Sequence, residues 1–119
     1  MSFVVDADIC SAYLKAHPYV SVITVAELTI WECRANAPAK PAQDVQDLLK
    51  NVTILEIAGD VARQFGKIQA ALMDAGQLAP EMDLLIAATA LIHGYTLLTH
   101  NTQDYASIPG LIPKDWTIP

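Results

Sequence analysis

The chain is short of several things, and each shortage narrows what it can be. It has only two cysteines in 119 residues, Cys10 and Cys33, and no CxxC pair. A disulfide-built secreted framework is excluded, and a reducing cytoplasm is the expected compartment. Charged residues are 17% of the chain against 53% hydrophobic, with a mean hydropathy of +0.31. Disorder needs the reverse balance. Long apolar runs are missing too. The longest near-apolar stretch, Leu84 to Ile92, is nine residues between Asp83 and His93, against the ~18 of a candidate span, so no membrane span is expected. Asp6 interrupts the apolar start with no basic stretch before it, so no secretory leader is expected. Cations are scarce: seven Lys and Arg face thirteen Asp and Glu, a net charge of −6. A nucleic-acid footprint is ordinarily basic. An acidic chain can meet a polyanion only if bound cations neutralise its carboxylates or its few basic residues share a face.

What is present reads as one domain over residues 1–119, since a domain takes roughly 100–200 residues. Phe3-Val4-Val5 reads as a short buried strand ended by Asp6. Ile9 to Ala16 suits a helix stopped at His17-Pro18, because a residue before proline is pushed out of the helical region. Tyr19 to Val22 reads as a second strand and Thr24 to Arg34 as a helix with Thr24, Glu27 and Trp31 on adjoining turns. Pro41 suits the first residue of another helix, striped by Val45, Leu48 and Leu49. Val52 to Leu55 is a third strand. Val61, Phe65, Ile68 and Leu72 then recur at helical spacing between Asp60 and Asp74, chiefly as core and secondarily as a dimer face. Pro80 to His93 is apolar nearly all round and should be the central buried helix, ended by Gly94 before a strand at Tyr95 to Leu98. A last short strand is expected near Thr117-Ile118. Strands alternating with helices predict an α/β fold, a mostly parallel sheet of four to five strands flanked by helices. The two cysteines read as small buried hydrophobes.

In an open parallel sheet, ligands sit beyond the carboxyl ends of the strands. Four acids fall there. Asp6 directly follows the first strand, Glu27 lies in the helix after the second, Asp83 opens the buried helix, and Asp104 comes just past the fourth strand. Each alone could be a turn or capping acid. Together they would repel one another strongly unless cations intervened. An all-oxygen set suits Mg²⁺ or Mn²⁺, and such ions activate water and stabilise charge on a phosphodiester in transit. That is nuclease chemistry. His100 is adjacent to this edge and within reach of a phosphate.

Four blocks then carry a family resemblance. Val4-Val5-Asp6-Ala7-Asp8-Ile9, Ser21 to Leu28, Asp83 to Leu91, and Leu98 to Tyr105 followed by Ile108-Pro109-Gly110-Leu111 occur in the order of the PIN-domain family's motifs. The chain resembles that family from Val4 to about Trp116, and within it the VapC-like toxins. The resemblance implies a PIN-like three-layer α/β fold and a toxin that cleaves RNA. Asp6, Glu27, Asp83 and Asp104 would hold Mg²⁺ or Mn²⁺, with Thr99 and Asn101 orienting the set. It further implies a homodimer and a cognate antitoxin seated on apolar surface near the site. Three departures from the pattern stand out. Ala7 and Asp8 replace the usual Thr and Asn, so a hydroxyl is lost and a further acid gained. The segment between Asp6 and Glu27 is shortened. Glu32 stands where a small residue is common. A weakened PIN scaffold that binds without cleaving is the competing expectation.

Overall fold

The computed structural model describes residues 3–5, 19–36, 43, 46, 47, 49, 50 and 52–115. Five strands form one sheet: β1 (Phe3–Val5), β2 (Tyr19–Ser21), β3 (Thr53–Leu55), β4 (Thr96–Leu98) and β5 (Pro113–Lys114). Their order across the sheet is β3-β2-β1-β4-β5, and every pairing is parallel. The chain therefore builds outward from β1 in one direction through β2 and β3, then returns to the other side of β1 for β4 and β5. Order reverses beside β1. Such a reversal opens a crevice at the strand ends.

Among the described residues, three longer helices accompany the sheet: α1 (Val22–Cys33), α2 (Gly59–Asp74) and α3 (Glu81–His93), with a single turn α4 (Thr102–Tyr105) after β4. Helix α1 starts two residues earlier than its sequence suggests. The cause is Ser21, whose hydroxyl accepts a hydrogen bond from the Ile23 N–H at 3.1 Å and closes the strand as an N-cap. The helix predicted over Ile9 to Ala16 lies outside the described residues. Of the helix predicted after Pro41, residues 43, 46, 47 and 49 are described and helical. Gln46 Nε2 donates to Glu32 Oε1 at 2.7 Å, so the unusual Glu32 ties that segment to α1.

Burial explains the layering. Leu97 and Leu98 are consecutive in β4, so their side chains leave opposite faces of the sheet, yet both are fully buried. Both faces are therefore covered, as parallel sheets require. That is the three-layer arrangement the sequence predicted. The core joins Val4 and Leu97 to Val61, Ile68 and Leu72 of α2 and to Leu84, Ile86, Ala87, Ala88 and Ala90 of α3. Five successive α3 residues, Ile86 to Ala90, are buried, which fits a helix apolar on every side. The one hydroxyl among them, Thr89 Oγ1, donates to the Leu85 carbonyl at 2.8 Å. Among the described residues, no helix is long and apolar enough to cross a membrane.

Gly94 stops α3 in the left-handed region at φ 69°, and Tyr95 N–H reaches back to the Ala90 carbonyl at 2.9 Å. This is a Schellman closure, for which glycine is suited because it lacks the Cβ penalty. No heavy atom lies within 4 Å of where a Cβ would stand, so Gly94→Ala strains backbone alone. It is expected to lower unfolding free energy by about 1–2 kcal/mol in urea titration, with an unchanged m-value.

Two expectations are corrected. The last strand falls at Pro113–Lys114, not near Thr117-Ile118, and residues 116–119 lie outside the description. Proline is tolerated there because β5 is an edge strand. β4 donates to its neighbours instead, from Leu97 N to Ile112 O at 3.2 Å and from Thr99 N to Lys114 O at 3.0 Å. No proline N–H is needed. Cys33 is exposed, not buried, because it ends α1 where the helix has run past the sheet.

Candidate active site

All five strands run the same way, so Val5, Ser21, Leu98 and Lys114 end at one edge. Helix α1 leaves that edge directly after Ser21. Helix α3 arrives there by a different route. Its C-terminus turns through Gly94 and Tyr95 into the start of β4, so its first turn lies about 20 Å back along a thirteen-residue helix, at the strand ends. One short sheet thus gathers segments that are remote in the chain.

Glu27 and Asp83 are both half-buried at this edge, and α1 and α3 are in contact. Glu27 Oε1 is shielded from solvent. One turn earlier on the same helix face, Thr24 is fully buried, and its Oγ1 has no hydrogen-bond partner among the described residues. A buried hydroxyl left so costs free energy comparable to a lost hydrogen bond. It marks a place where a polar guest would be stabilised. Asp83 lies in the first turn of α3 with Glu81, where free backbone N–H groups favour a negative charge.

Past β4, Thr99 is fully buried and its Oγ1 accepts from the Asn101 N–H at 3.0 Å. That bond folds the loop at once, and the Asp104 N–H then donates to the Asn101 carbonyl at 3.0 Å to begin α4. Asp104 is carried on this turn and is exposed. Among the described residues, no three His, Cys, Asp or Glu side chains form a group able to hold a metal ion. Glu27, Asp83 and Asp104 thus do not make such a set by themselves. Asp6 and Asp8, which belong to the same expected cluster, lie outside the described residues; the chain reaches them directly from β1.

One carboxylate at this edge escaped the sequence reading. Asp115 follows β5, and its side chain is 8% exposed. A carboxylate can only accept, so His100 Nδ1 donates to Asp115 Oδ2, at 3.1 Å. The signal that could have found it was its place after a strand, which was missed because a strand opening on proline was not expected. The opposite edge of the sheet is different in kind. There Tyr19 and Tyr95 lie 4.8 Å apart between ring centres, with His93 stacked 5.4 Å from Tyr95. A side-chain hydrogen bond with Tyr19 raises the Tyr95 phenol above its ordinary value, with desolvation and charge repulsion adding to it.

Comparison with known proteins bears on the family and the fold. The PIN domain family model matches residues 4–111. Ribonuclease VapC2 of Haemophilus influenzae is 34% identical over 97 residues, 82% of this chain and 74% of its own length. The tRNA(fMet)-specific endonuclease VapC of Shigella flexneri is 23% identical over 131 residues, covering 98% of this chain and 99% of its own. Among solved structures, the DNA-bound VapBC of Salmonella typhimurium superposes with a TM-score of 0.85 at 25% identity, covering 98% of both chains.

Proposed function

The chain belongs to the PIN domain family, in its VapC-like group, and from that membership we propose that it is an endoribonuclease, the toxin of a toxin–antitoxin pair. The observation that carries the reading is convergence. Acids from α1 and α3 and the loop beyond β4 leave one edge of a parallel sheet, at the point where its strand order reverses.

Beside the His100 imidazole, the donors at that edge are oxygens: the carboxylates of Glu27 and Asp83 and the hydroxyls of Thr24 and Thr99. This set suits a hard divalent cation, Mg²⁺ or Mn²⁺, better than zinc, and the Thr24 hydroxyl, unpartnered among the described residues, is consistent with a polar guest. We assign Asp6, Glu27, Asp83 and Asp104 to hold it, with Asp8 beside them. When bound, such an ion supplies an activated water and neutralises charge on the phosphodiester. The protein's own part is orientation. Ser21 fixes where α1 begins and hence where Thr24 and Glu27 stand. The Thr99–Asn101 bond fixes the turn that carries Asp104. The buried α3 holds Asp83 on a rigid base.

Partners follow from the same reading. Met73 is 64% exposed and Leu78 96% exposed, beside a surface cavity of about 360 Å³ lined by Ile68, Leu72, Ala75 and Pro109. This apolar ground supports the assignment of protein partners, a second copy and a cognate antitoxin; the cytoplasm is proposed as their compartment from the scarcity of cysteine. The shortened segment between Asp6 and Glu27 would narrow what an antitoxin can grip.

The test is cleavage of a total bacterial tRNA pool by the purified chain. Cleavage is expected with Mn²⁺ or Mg²⁺ and is expected to stop with EDTA. Mn²⁺ in hundredfold excess over its dissociation constant should also stabilise the fold by about 2.7 kcal/mol, read as a raised melting temperature. Binding of RNA with neither cleavage nor cation-dependent stabilisation would favour the scaffold reading instead.

A further inference from the structure

We propose that Lys114 is a phosphate-binding residue of the RNA-binding edge, its ammonium contacting a backbone phosphate that flanks the cleaved bond. The inference rests on the ribonuclease reading and adds to it where the substrate's backbone is held. An RNA strand carries a negative charge at every nucleotide. Beyond the phosphate under attack, its neighbours along the strand face Glu27, Asp83 and Asp104 on a chain of net charge −6. A fixed cation at the rim of the same edge offsets that repulsion.

Among the described residues, a single Lys or Arg stands at the strand ends. Arg34 follows the end of α1, about 18 Å along a helix that starts at this edge. Lys50 precedes β3 at the opposite edge, and Arg63 and Lys67 lie in α2, about two turns or more before its end. Lys114 closes β5 and is exposed. Its backbone is fixed to the site, because its carbonyl accepts at 3.0 Å from the N–H of Thr99, where the loop to Asp104 departs. Consecutive residues of an extended chain face opposite ways. Asp115 is accordingly nearly buried and engaged by His100 at 3.1 Å, whereas no carboxylate among the described residues pairs with the Lys114 ammonium. That charge is left for a guest. In the sheet only β4 separates β5 from β1, so Lys114 stands about 10 Å from the end of β1, to which Asp6 is joined. A flexible lysine stem spans much of that distance, and its compact ammonium suits a contact that reads charge and not base identity.

The test is cleavage of the total tRNA pool with Mn²⁺ held constant, in KCl from about 50 to 200 mM. Lys114→Met keeps the bulk of the side chain and removes its charge. It is expected to raise KM roughly fivefold at the low-salt end with kcat unchanged, the mark of lost uniform binding. The plot of log kcat/KM against log salt should flatten by roughly 0.7–0.9, the change for one phosphate contact. Lys114→Arg should retain both properties. Lys50→Met removes an equal charge at the opposite edge and should change neither. Both lysines are exposed, so melting temperatures should stay at the wild-type value. Binding is read without turnover in the Asp83→Asn chain, using fluorescein-labelled oligouridine and anisotropy, and adding Lys114→Met should weaken it by the same factor. A KM and salt slope unchanged in Lys114→Met, or altered equally in Lys50→Met, overturn the inference, as does a fall in kcat at constant KM. Any of these beside a wild type that cleaves defeats this inference alone. A wild type that does not cleave, with an Asp83→Asn chain that does not bind, defeats the ribonuclease reading as well.

Discussion

Asp83→Asn is expected to reduce RNA cleavage by roughly 10²–10³-fold or more, the loss seen when one preorganised electrostatic group is deleted, without lowering the melting temperature. The substitution removes a charge and leaves the shape. Asp83 is half-buried in the first turn of α3, on a helix whose next turns, from Leu84 to Ala90, are almost wholly buried. The backbone there is set by packing, so an amide of equal size does not move it. A carboxylate also interacts with the helix N-terminus, a contribution of about 0.3–1 kcal/mol. Relief of repulsion among neighbouring acids opposes that loss. Net stability should therefore change little while activity collapses. Rate and melting curves on the same preparation check both halves. Full activity in Asp83→Asn would remove this residue from the site and, with it, the assignment of α3 to the catalytic edge.

Leu97→Ala should do the opposite, unfolding the scaffold more than any single change at the site. Leu97 is fully buried in β4 and registers against Val4 of β1 and Pro113 of β5. It meets α2 and α3 residues in one core. Truncating such a leucine costs about 2–5 kcal/mol, because transfer energy is lost and a cavity remains. Total stabilities run at about 5–15 kcal/mol, so a third of the margin is at stake. Urea unfolding followed by circular dichroism should show a lowered midpoint with an unchanged slope. Cleavage at a temperature where the variant remains folded should persist, since Leu97 is an apolar core residue with no group that can take part in the chemistry. A variant as stable as wild type would mean the core collapses around this position far better than its burial implies.

Much of the scaffold was legible in local sequence. The spacing of Val61, Phe65, Ile68 and Leu72 gave α2 its buried face, and the run from Leu84 onward gave α3 its central place. Gly94 marked the stop that the structure places at positive φ. The misreadings have local causes of their own. Val22 favours strand by its branching, yet the Ser21 hydroxyl caps the helix just before it. Pro113 reads as a breaker, yet an edge position removes the demand for its N–H. Cys33 reads as a core residue by type, yet it stands where α1 has left the sheet behind.

The site divides along the same line. Chain order alone put Glu27, Asp83 and Asp104 after or before the right strands, because periodicity and turn residues are written locally and strand ends can be counted. Which strands lie side by side is not written locally. The order β3-β2-β1-β4-β5, the full burial of Thr24 and the pairing of His100 with Asp115 all depend on contacts between residues far apart in sequence. Such contacts form only when distant segments bury apolar surface together, and no short window of residues carries that energy.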